Sequence, residues 1–301
     1  MVKKLAAAVV VLAVLAAATF WFLTAPRPLE AAALPAHEAD LENGERMFIV
    51  GGCANCHAAP KAKGEERLKL GGGLELATDF GTFRVPNISP DEATGIGGWS
   101  DIDFVNAMKR GLAPDGSYLY PAFPYISYTR MHVEDMLDLK AYLDTLPAVS
   151  QEVAGHDLSF PFNVRRGMGL WNRLNLTHKP VVEVAESDAK LVLGRYLVEG
   201  PGHCGECHTP RDAIGGMQRS EWLAGAPNPE GKGKIPNITP SEEGLGAWSE
   251  ADIAYFFESG FTPDFDSVGG SMVAVQEELA KLQPGDREAI AAYLKAVPPR
   301  P

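Results

Sequence analysis

The four cysteines of the chain all stand in Cys-x-x-Cys-His sequences, of which there are two. A c-type haem needs two thiols, which form thioethers with its vinyl groups, and an adjacent imidazole that reaches the iron from the same helical turn. Cys-x-x-Cys alone also serves redox disulfides and zinc sites, but neither use needs a histidine directly after both pairs. We therefore predict two covalently bound haem c groups, held by Cys53, Cys56, His57, Cys204, Cys207 and His208.

The two motifs open two similar stretches of sequence. Cys53 precedes an Ala-Tyr-Leu at Ala141 by 88 residues, and Cys204 precedes another at Ala292 by the same 88. This equal spacing predicts two equivalent domains. Asn87 and Asn237, which lie in a repeated Pro-Asn-Ile loop, are either donors to haem propionates or loop-forming residues. The repeated segments are Val85-Pro-Asn-Ile-Ser-Pro with Ile235-Pro-Asn-Ile-Thr-Pro, and Gly98-Trp-Ser with Ala247-Trp-Ser.

The sixth iron ligand decides what each haem can do, with His57 and His208 as the predicted proximal ligands. A methionine sulfur raises the reduction potential and closes the site, whereas an open position permits peroxide chemistry. We expect the distal ligand in the loop before the last helix of each repeat. Met272 is the only methionine after the Trp248 region and is our predicted second distal ligand. The alternative is a buried methionine that only fills the core.

The first repeat offers a less direct ligand. Its corresponding stretch, Tyr-Pro-Ala-Phe-Pro-Tyr, contains Phe123, whose side chain cannot bind iron. Met131 follows slightly downstream and is our predicted distal ligand for the first haem. The alternatives are Met108, which falls on an apolar helix face, and His132, which would give a lower-potential pair.

Helices must position these residues. Gly44-Glu-Arg-Met-Phe and Gly194-Arg-Tyr-Leu are predicted to form helices just before the cysteines. Ser100 with Asp103, and Ser249 with Asp252, have the spacing of a helix N-cap and its reciprocal carboxylate. Little in the pattern indicates strands, so we predict an all-α fold. Each repeat is predicted to close with a further helix, over Val133 to Leu146 and Pro284 to Ala296.

The N-terminus has the pattern of a membrane anchor. From Leu5 to Leu23 the only polar side chain is Thr19. A helix of this length spans about 28 Å, close to the hydrocarbon thickness of a bilayer. Lys3 and Lys4 precede the run, which predicts a cytoplasmic N-terminus and an exported remainder. A cleaved signal peptide is the alternative.

The exported part is acidic. The chain has 27 basic and 39 acidic side chains, and removing Lys3 and Lys4 leaves 25 basic against 39 acidic, a net charge near −14. Such a surplus disfavours nucleic acid as a partner and steers encounters with basic protein surfaces.

The repeated Pro-Asn-Ile, Trp-Ser and Tyr-Pro-Ala-Phe-Pro-Tyr segments resemble the cytochrome c subunits of membrane-bound alcohol, aldehyde and gluconate dehydrogenases over most of residues 40 to 299. The resemblance implies class I cytochrome c folds with His/Met haems. It also implies that electrons pass from a periplasmic dehydrogenase or quinol toward a terminal oxidase. Those subunits usually carry three haems, whereas this chain has two motifs, and many have Met where this chain has Phe123.

We therefore expect two tandem class I cytochrome c-like domains behind an N-terminal transmembrane helix, in the inner membrane with both haem domains in the periplasm. The expected function is electron transfer between a dehydrogenase or quinol-oxidising complex and an acceptor such as a terminal oxidase, with no catalytic residues. A diheme peroxidase and a purely structural anchor subunit are the alternatives. The expected segments are an anchor at 1–24, a tether at 25–38, domain 1 at 39–150, a linker at 151–187 and domain 2 at 188–301.

Overall fold

The computed structural model describes residues 1–228 and 233–301, and helices are its main regular elements. The predicted helices before each haem motif and at the end of each repeat are present. The α-helices are α1 (Val2–Leu23), α2 (Leu41–Val50), α3 (Cys53–His57), α4 (Asp101–Arg110), α5 (Tyr125–Tyr128), α6 (Val133–Asp144), α7 (Met168–Asn175), α8 (Ala189–Glu199), α9 (Gly205–His208), α10 (Glu250–Ser259), α11 (Met272–Leu279) and α12 (Pro284–Ala296).

Short strands correct the all-α expectation. Strands β1 (Glu75–Thr78) and β2 (Gly81–Arg84) form an antiparallel hairpin, and β3 (Asp157–Leu158) adds a third strand from the linker. In the second repeat β4 (Ala226–Pro227) pairs with β5 (Lys234–Ile235). Runs of two to four residues leave almost no alternation to detect, because a strand pattern needs several residues to be recognised.

The second half of the chain repeats the helices of the first in the same order. Helix α2 packs on α6, and α8 packs on α12. A glycine stands at each crossing. A Cβ at Gly44 would lie 2.8 Å from the Cβ of Tyr142, and a Cβ at Gly194 would lie 2.8 Å from the Cβ of Tyr293. Both would also overlap a backbone carbonyl of the facing helix. The close crossing therefore depends on glycine at both positions.

Two capping boxes start the matched helices α4 and α10, as predicted. The Ser100 hydroxyl accepts from the Asp103 N–H, while the Asp103 carboxylate accepts from the Ser100 N–H. Ser249 and Asp252 make the same reciprocal pair. These bonds satisfy amide groups that the first turn of a helix leaves without partners.

Two main hydrophobic clusters lie on the two halves. The first is built on α2, α4 and α6, and the second on α8, α10 and α12. Apolar residues of α1 stay outside both, since none of its residues is buried. In the part of the chain that the structure describes, α1 is the helix whose length and hydropathy suffice to cross a membrane.

Candidate haem-binding sites

Each haem motif occupies one short helix that follows a longer one after a tight turn. Helix α3 carries Cys53 to His57, and α9 runs to His208. The turn before α3 uses Gly52 at φ 56°, and the turn before α9 uses His203 at φ 40°. Positive φ at a non-glycine residue is uncommon, so the surroundings hold His203 in place. Both turns bring the cysteines and the histidine of a motif onto one helical turn, as a covalent haem requires.

The two motif histidines share one hydrogen bond. The Nδ1 atom of His57 lies 2.8 Å from the carbonyl oxygen of Pro86, and Nδ1 of His208 lies 2.8 Å from that of Pro236. A carbonyl only accepts, so Nδ1 carries the proton and Nε2 keeps its lone pair for a metal. Burial lowers the pKa of His57 to about 4 and lowers that of His208 as well. Both imidazoles are therefore neutral at neutral pH, the form that binds iron.

The first cysteine of each motif is the more buried one. Cys53 and Cys204 are half-buried, whereas Cys56 and Cys207 are exposed. Burial raises the pKa of Cys53 and of Cys204 to about 12. Redox cysteines instead have a lowered thiol pKa, so the environment of these two thiols does not favour the disulfide alternative.

Met131, the predicted first distal ligand, lies in the first hydrophobic cluster with 1% of its surface exposed. Ala58, directly after the motif, belongs to the same cluster, and Cys53 of the motif packs against it. The backbone of Met131 is held from two sides. Its N–H donates to the Tyr128 carbonyl at 2.8 Å, and its carbonyl accepts from Nζ of Lys109 at 2.7 Å.

The alternatives to Met131 lie in different surroundings. The His132 side chain is 69% exposed, stacks on the ring of Tyr196 and lies 3.4 Å from an Asp135 oxygen. These contacts disfavour His132 as an iron ligand. Met108 is buried on α4 in the same cluster as Met131. Phe123 packs against that cluster too.

Met272 is the first residue of α11, where the sequence predicted a loop. Its side chain is partly buried and packs against the second hydrophobic cluster. Cys204 packs against the same cluster. The predicted ligand and the second motif thus border one apolar region.

The repeated asparagines shape the loops that hold the histidines. Nδ2 of Asn87 donates to the Val149 carbonyl at 2.7 Å, and Oδ1 accepts from the N–H of Ser89 at 2.9 Å. Asn237 bonds in the same way to the Arg300 carbonyl and the N–H of Thr239. These contacts support the loop-forming interpretation. Each asparagine stands directly after the proline whose carbonyl orients a histidine.

The two motifs lie close to each other, which the sequence did not predict. Nε2 of His203 lies 3.2 Å from the carbonyl oxygen of Gly51, and the rings of His203 and Tyr128 are 5.5 Å apart in an edge-to-face contact. A Cβ at Gly51 would lie 3.5 Å from Sγ of Cys53 and 3.6 Å from the carbonyl oxygen of Pro201. In the sequence, the only hint that His203 contacts the first motif is its position directly before Cys204.

Comparison with known proteins identifies the family of this chain. The cytochrome c family model matches residues 41–147. A protein of Cereibacter sphaeroides described as diheme cytochrome c-type is 50% identical over 298 residues, which is 98% of each chain. The chain belongs to the diheme c-type cytochromes. It carries two covalently bound haem c groups, as the motifs predicted, and the oriented imidazoles and adjacent thiols of both motifs fit them.

This diheme cytochrome is also similar to longer dehydrogenase subunits. It is 34% identical over 275 residues to the fructose dehydrogenase cytochrome subunit of Gluconobacter japonicus, covering 90% of this chain and 55% of that one. It is 36% identical over 271 residues to the gluconate 2-dehydrogenase cytochrome c subunit of Pantoea cypripedii, covering 87% of this chain and 60% of that one. The predicted resemblance is confirmed, and the chain spans a little over half the length of these two relatives.

Proposed function

We propose that this diheme cytochrome is a membrane-anchored electron carrier that takes electrons from a dehydrogenase or quinol-oxidising complex. It delivers them to an acceptor such as a terminal oxidase. When bound, each haem iron supplies the one-electron redox change. The residues of the chain bind the haems, orient the iron ligands and hold the two sites close together.

The close approach of the two motifs is the observation that carries this proposal. The Gly51 carbonyl, next but one to Cys53, bonds to His203, the residue before Cys204. Tyr128 packs against the same imidazole. Two attachment sites in contact suit a carrier in which electrons pass from one haem to the other. Electron transfer becomes faster as the separation between cofactors falls.

The proposed ligand sets are His57 with Met131 and His208 with Met272. The cysteine pairs Cys53/Cys56 and Cys204/Cys207 form the thioethers. Residues 39–150 and 188–301 are the proposed haem domains, and residues 151–187 join them. Support comes from the shared orientation of both histidines and from the burial of Met131.

Replacing the proposed ligands one at a time tests these sets. Leucine keeps the volume of methionine and removes the sulfur, so Met131→Leu and Met272→Leu should each abolish the iron–methionine absorption of one haem and lower its reduction potential. Met108→Leu is the matched control and should leave both haems unchanged. The measurements are near-infrared absorption and redox titration of the purified holoprotein.

The wild-type spectrum tests the function itself. Both haems should be low-spin in both oxidation states, and the protein should not turn over peroxide rapidly. High-spin iron with rapid peroxide turnover would favour the diheme peroxidase alternative. Loss of methionine absorption in Met108→Leu rather than Met131→Leu would overturn only the first ligand assignment.

The proposed anchor is α1, with the haem domains in the periplasm and the chain in the inner membrane. Its long apolar run and the two lysines at its start support this arrangement. Mass spectrometry of the mature protein purified from membranes should give the mass of the chain with residues 1–24 retained, plus that of two haems. A mature N-terminus after residue 24 would support the signal-peptide alternative instead.

A dehydrogenase is the proposed donor, because the relatives in Gluconobacter japonicus and Pantoea cypripedii are named as dehydrogenase subunits. Mild detergent extraction of the native membrane, followed by purification of the cytochrome, should recover a dehydrogenase that reduces its haems when given substrate. Co-purification of a terminal oxidase alone would leave only the acceptor part of the proposal supported.

A further inference from the structure

The end of α1 is bound to the interdomain linker by two arginines. The Arg166 guanidinium lies 3.6 Å from the centre of the Trp21 ring, and its Nη2 donates to the Trp21 carbonyl at 3.0 Å. Nε of Arg166 donates to the Thr24 hydroxyl at 3.1 Å, and Nε of Arg173 donates to the Leu23 carbonyl at 2.6 Å. The guanidinium groups thus satisfy carbonyls that the C-terminus of a helix leaves open.

Helix α7 lies directly against this last turn. A Cβ at Gly169 would lie 2.8 Å from Cα of Thr24, which has no exposed surface. Trp171 is buried on the inner side of α7. Leu170 and Leu174, one turn apart, form the stripe next to the contacting Gly169 face, and Leu174 is 74% exposed.

Three further apolar side chains are exposed in the linker just before α7. Phe160 is 80% exposed, and Phe162 and Val164 are also exposed. The loop that carries them is attached to the first repeat, since the Phe162 carbonyl accepts from the Tyr120 hydroxyl at 2.9 Å. We name these three residues together with the α7 stripe the linker patch, which consists of Phe160, Phe162, Val164, Leu170 and Leu174.

We propose that the linker patch inserts into the outer interface of the bilayer that α1 crosses. This inference rests on the proposed anchoring by α1. A 22-residue helix is about 33 Å long, so its last turn, with Trp21 and Phe22 exposed, lies where the hydrocarbon meets the headgroups. Aromatic residues are enriched at that depth. Helix α7 is docked to this same turn, so its exposed stripe lies at the same depth.

The charges around the linker patch fit a lipid surface. Arg165, Arg166 and Arg173 are basic residues within or beside the patch of a chain whose net charge is −12. Each of these guanidinium groups already donates within the protein, and its remaining N–H donors and its charge can interact with lipid phosphates at the outer edge of the apolar surface. The linker patch would then hold the haem domains against the membrane in one orientation, instead of leaving them free on the tether.

Spin labels on introduced cysteines test this placement in the holoprotein. The haems occupy all four native cysteines, so an added thiol is the only one that a nitroxide reagent can label. Leu174→Cys and Phe160→Cys probe the linker patch, Leu12→Cys probes α1, and Tyr255→Cys is an exposed control on α10 of the second repeat. Each protein is placed in nanodiscs of phosphatidylcholine with phosphatidylglycerol. Unchanged haem spectra verify that each variant is folded.

Oxygen concentrates in lipid and a nickel chelate in water, so their relaxation effects report depth. The oxygen-to-nickel accessibility ratio at residues 174 and 160 should exceed that at 255 by several-fold and stay below that at 12, because the interface is shallower than the middle of the bilayer. A high ratio at 12 with water-like ratios at 174 and 160 would overturn the linker patch inference and leave the anchor intact. A water-like ratio at 12 would overturn the anchor itself. Low accessibility to both reagents at 174 and 160 would also overturn the inference, because it means that a protein covers the patch.

Discussion

Two proline carbonyls orient the histidines of this diheme cytochrome. Pro86 and Pro236 accept from Nδ1 of His57 and His208 at the same 2.8 Å distance. Such a bond sets the tautomer and the ring orientation and raises the basicity of the ligating nitrogen. The asparagines that follow these prolines, Asn87 and Asn237, hold the loops in place. They therefore influence the orientation of each histidine toward the iron without needing to contact the haem.

Gly194 provides a residue-scale prediction. In Gly194→Ala the new Cβ would overlap the Ala289 carbonyl on α12. We expect the free energy of unfolding to fall by about 2 kcal/mol, because packed backbone does not move aside easily. The gain in helix propensity, at most about 1 kcal/mol, is included in that net value. Thermal unfolding of the holoprotein measures the change.

Gly285→Ala is the matched control, because no atom lies within 4 Å of a Cβ at that position of α12. Its transition should stay level or rise slightly. Equal transition temperatures for Gly194→Ala and Gly285→Ala would contradict the close-crossing explanation.

Among the elements, the segment between α1 and α2 is attached to α6 before α2 begins. Nε2 of His37 lies 2.5 Å from Oδ1 of Asp138 on α6, and the same oxygen accepts from the Asp40 N–H at 2.8 Å. The hydrogen bond to Asp138 raises the pKa of His37 above its ordinary value of 6.5, and the charges of Glu134 and Asp135 add to this effect. The residues just before α2 are therefore docked on α6.

The docking should weaken as the pH rises. A raised histidine pKa means that protonation stabilises the docked state fully below 6.5, and that this contribution is lost as the pH passes through the raised value. Between about pH 6 and about pH 8, hydrogen exchange around residues 34 to 40, corrected for the intrinsic rate, should therefore increase. His37→Gln should remove this pH dependence. A pH-dependent exchange that persists in His37→Gln would assign the effect to another group.

At the scale of the whole molecule, polar contacts join the two halves. Nε and Nη2 of Arg46 on α2 each lie 2.8 Å from a carboxylate oxygen of Asp286 on α12. Nη2 of Arg67 lies 2.7 Å from Glu278 on α11. Together with the bond from His203 to Gly51, these contacts fix the relative position of the two haem motifs.

Removing one partner of the pair between Arg46 and Asp286 should lower the free energy of unfolding. The Asp286 side chain is only 7% exposed, so Arg46→Ala leaves a buried carboxylate without its cation. Because Arg46 is 29% exposed, we expect a loss of about 2 kcal/mol, below that of fully buried pairs. Lys190→Ala, which breaks an exposed pair with Glu250, should cost less than about 1 kcal/mol. Comparable shifts of the thermal transition in both variants would argue against a stabilising interface.

The haem motifs, the helix caps and most helices could be predicted from residues that are neighbours in the sequence. The haem cysteines and histidines are adjacent in sequence, so one helical turn brings them together. The capping boxes at Ser100 and Ser249 and the helix over Pro284–Ala296 also depend on neighbouring residues, and all were predicted. The strands were missed, because runs of two to four residues carry almost no pattern and form strands only through their partners.

The arrangement of the two Cys-x-x-Cys-His motifs depends instead on long-range packing. The bond between His203 and Gly51 joins residues 152 positions apart, and the contacts of Arg166 with Trp21 join residues 145 apart. No local preference encodes such pairs, because they depend on how complete helices pack. Neighbouring residues therefore suffice to predict that this chain binds two haems. The packing of distant segments brings the two attachment sites together and places α7 against the end of α1.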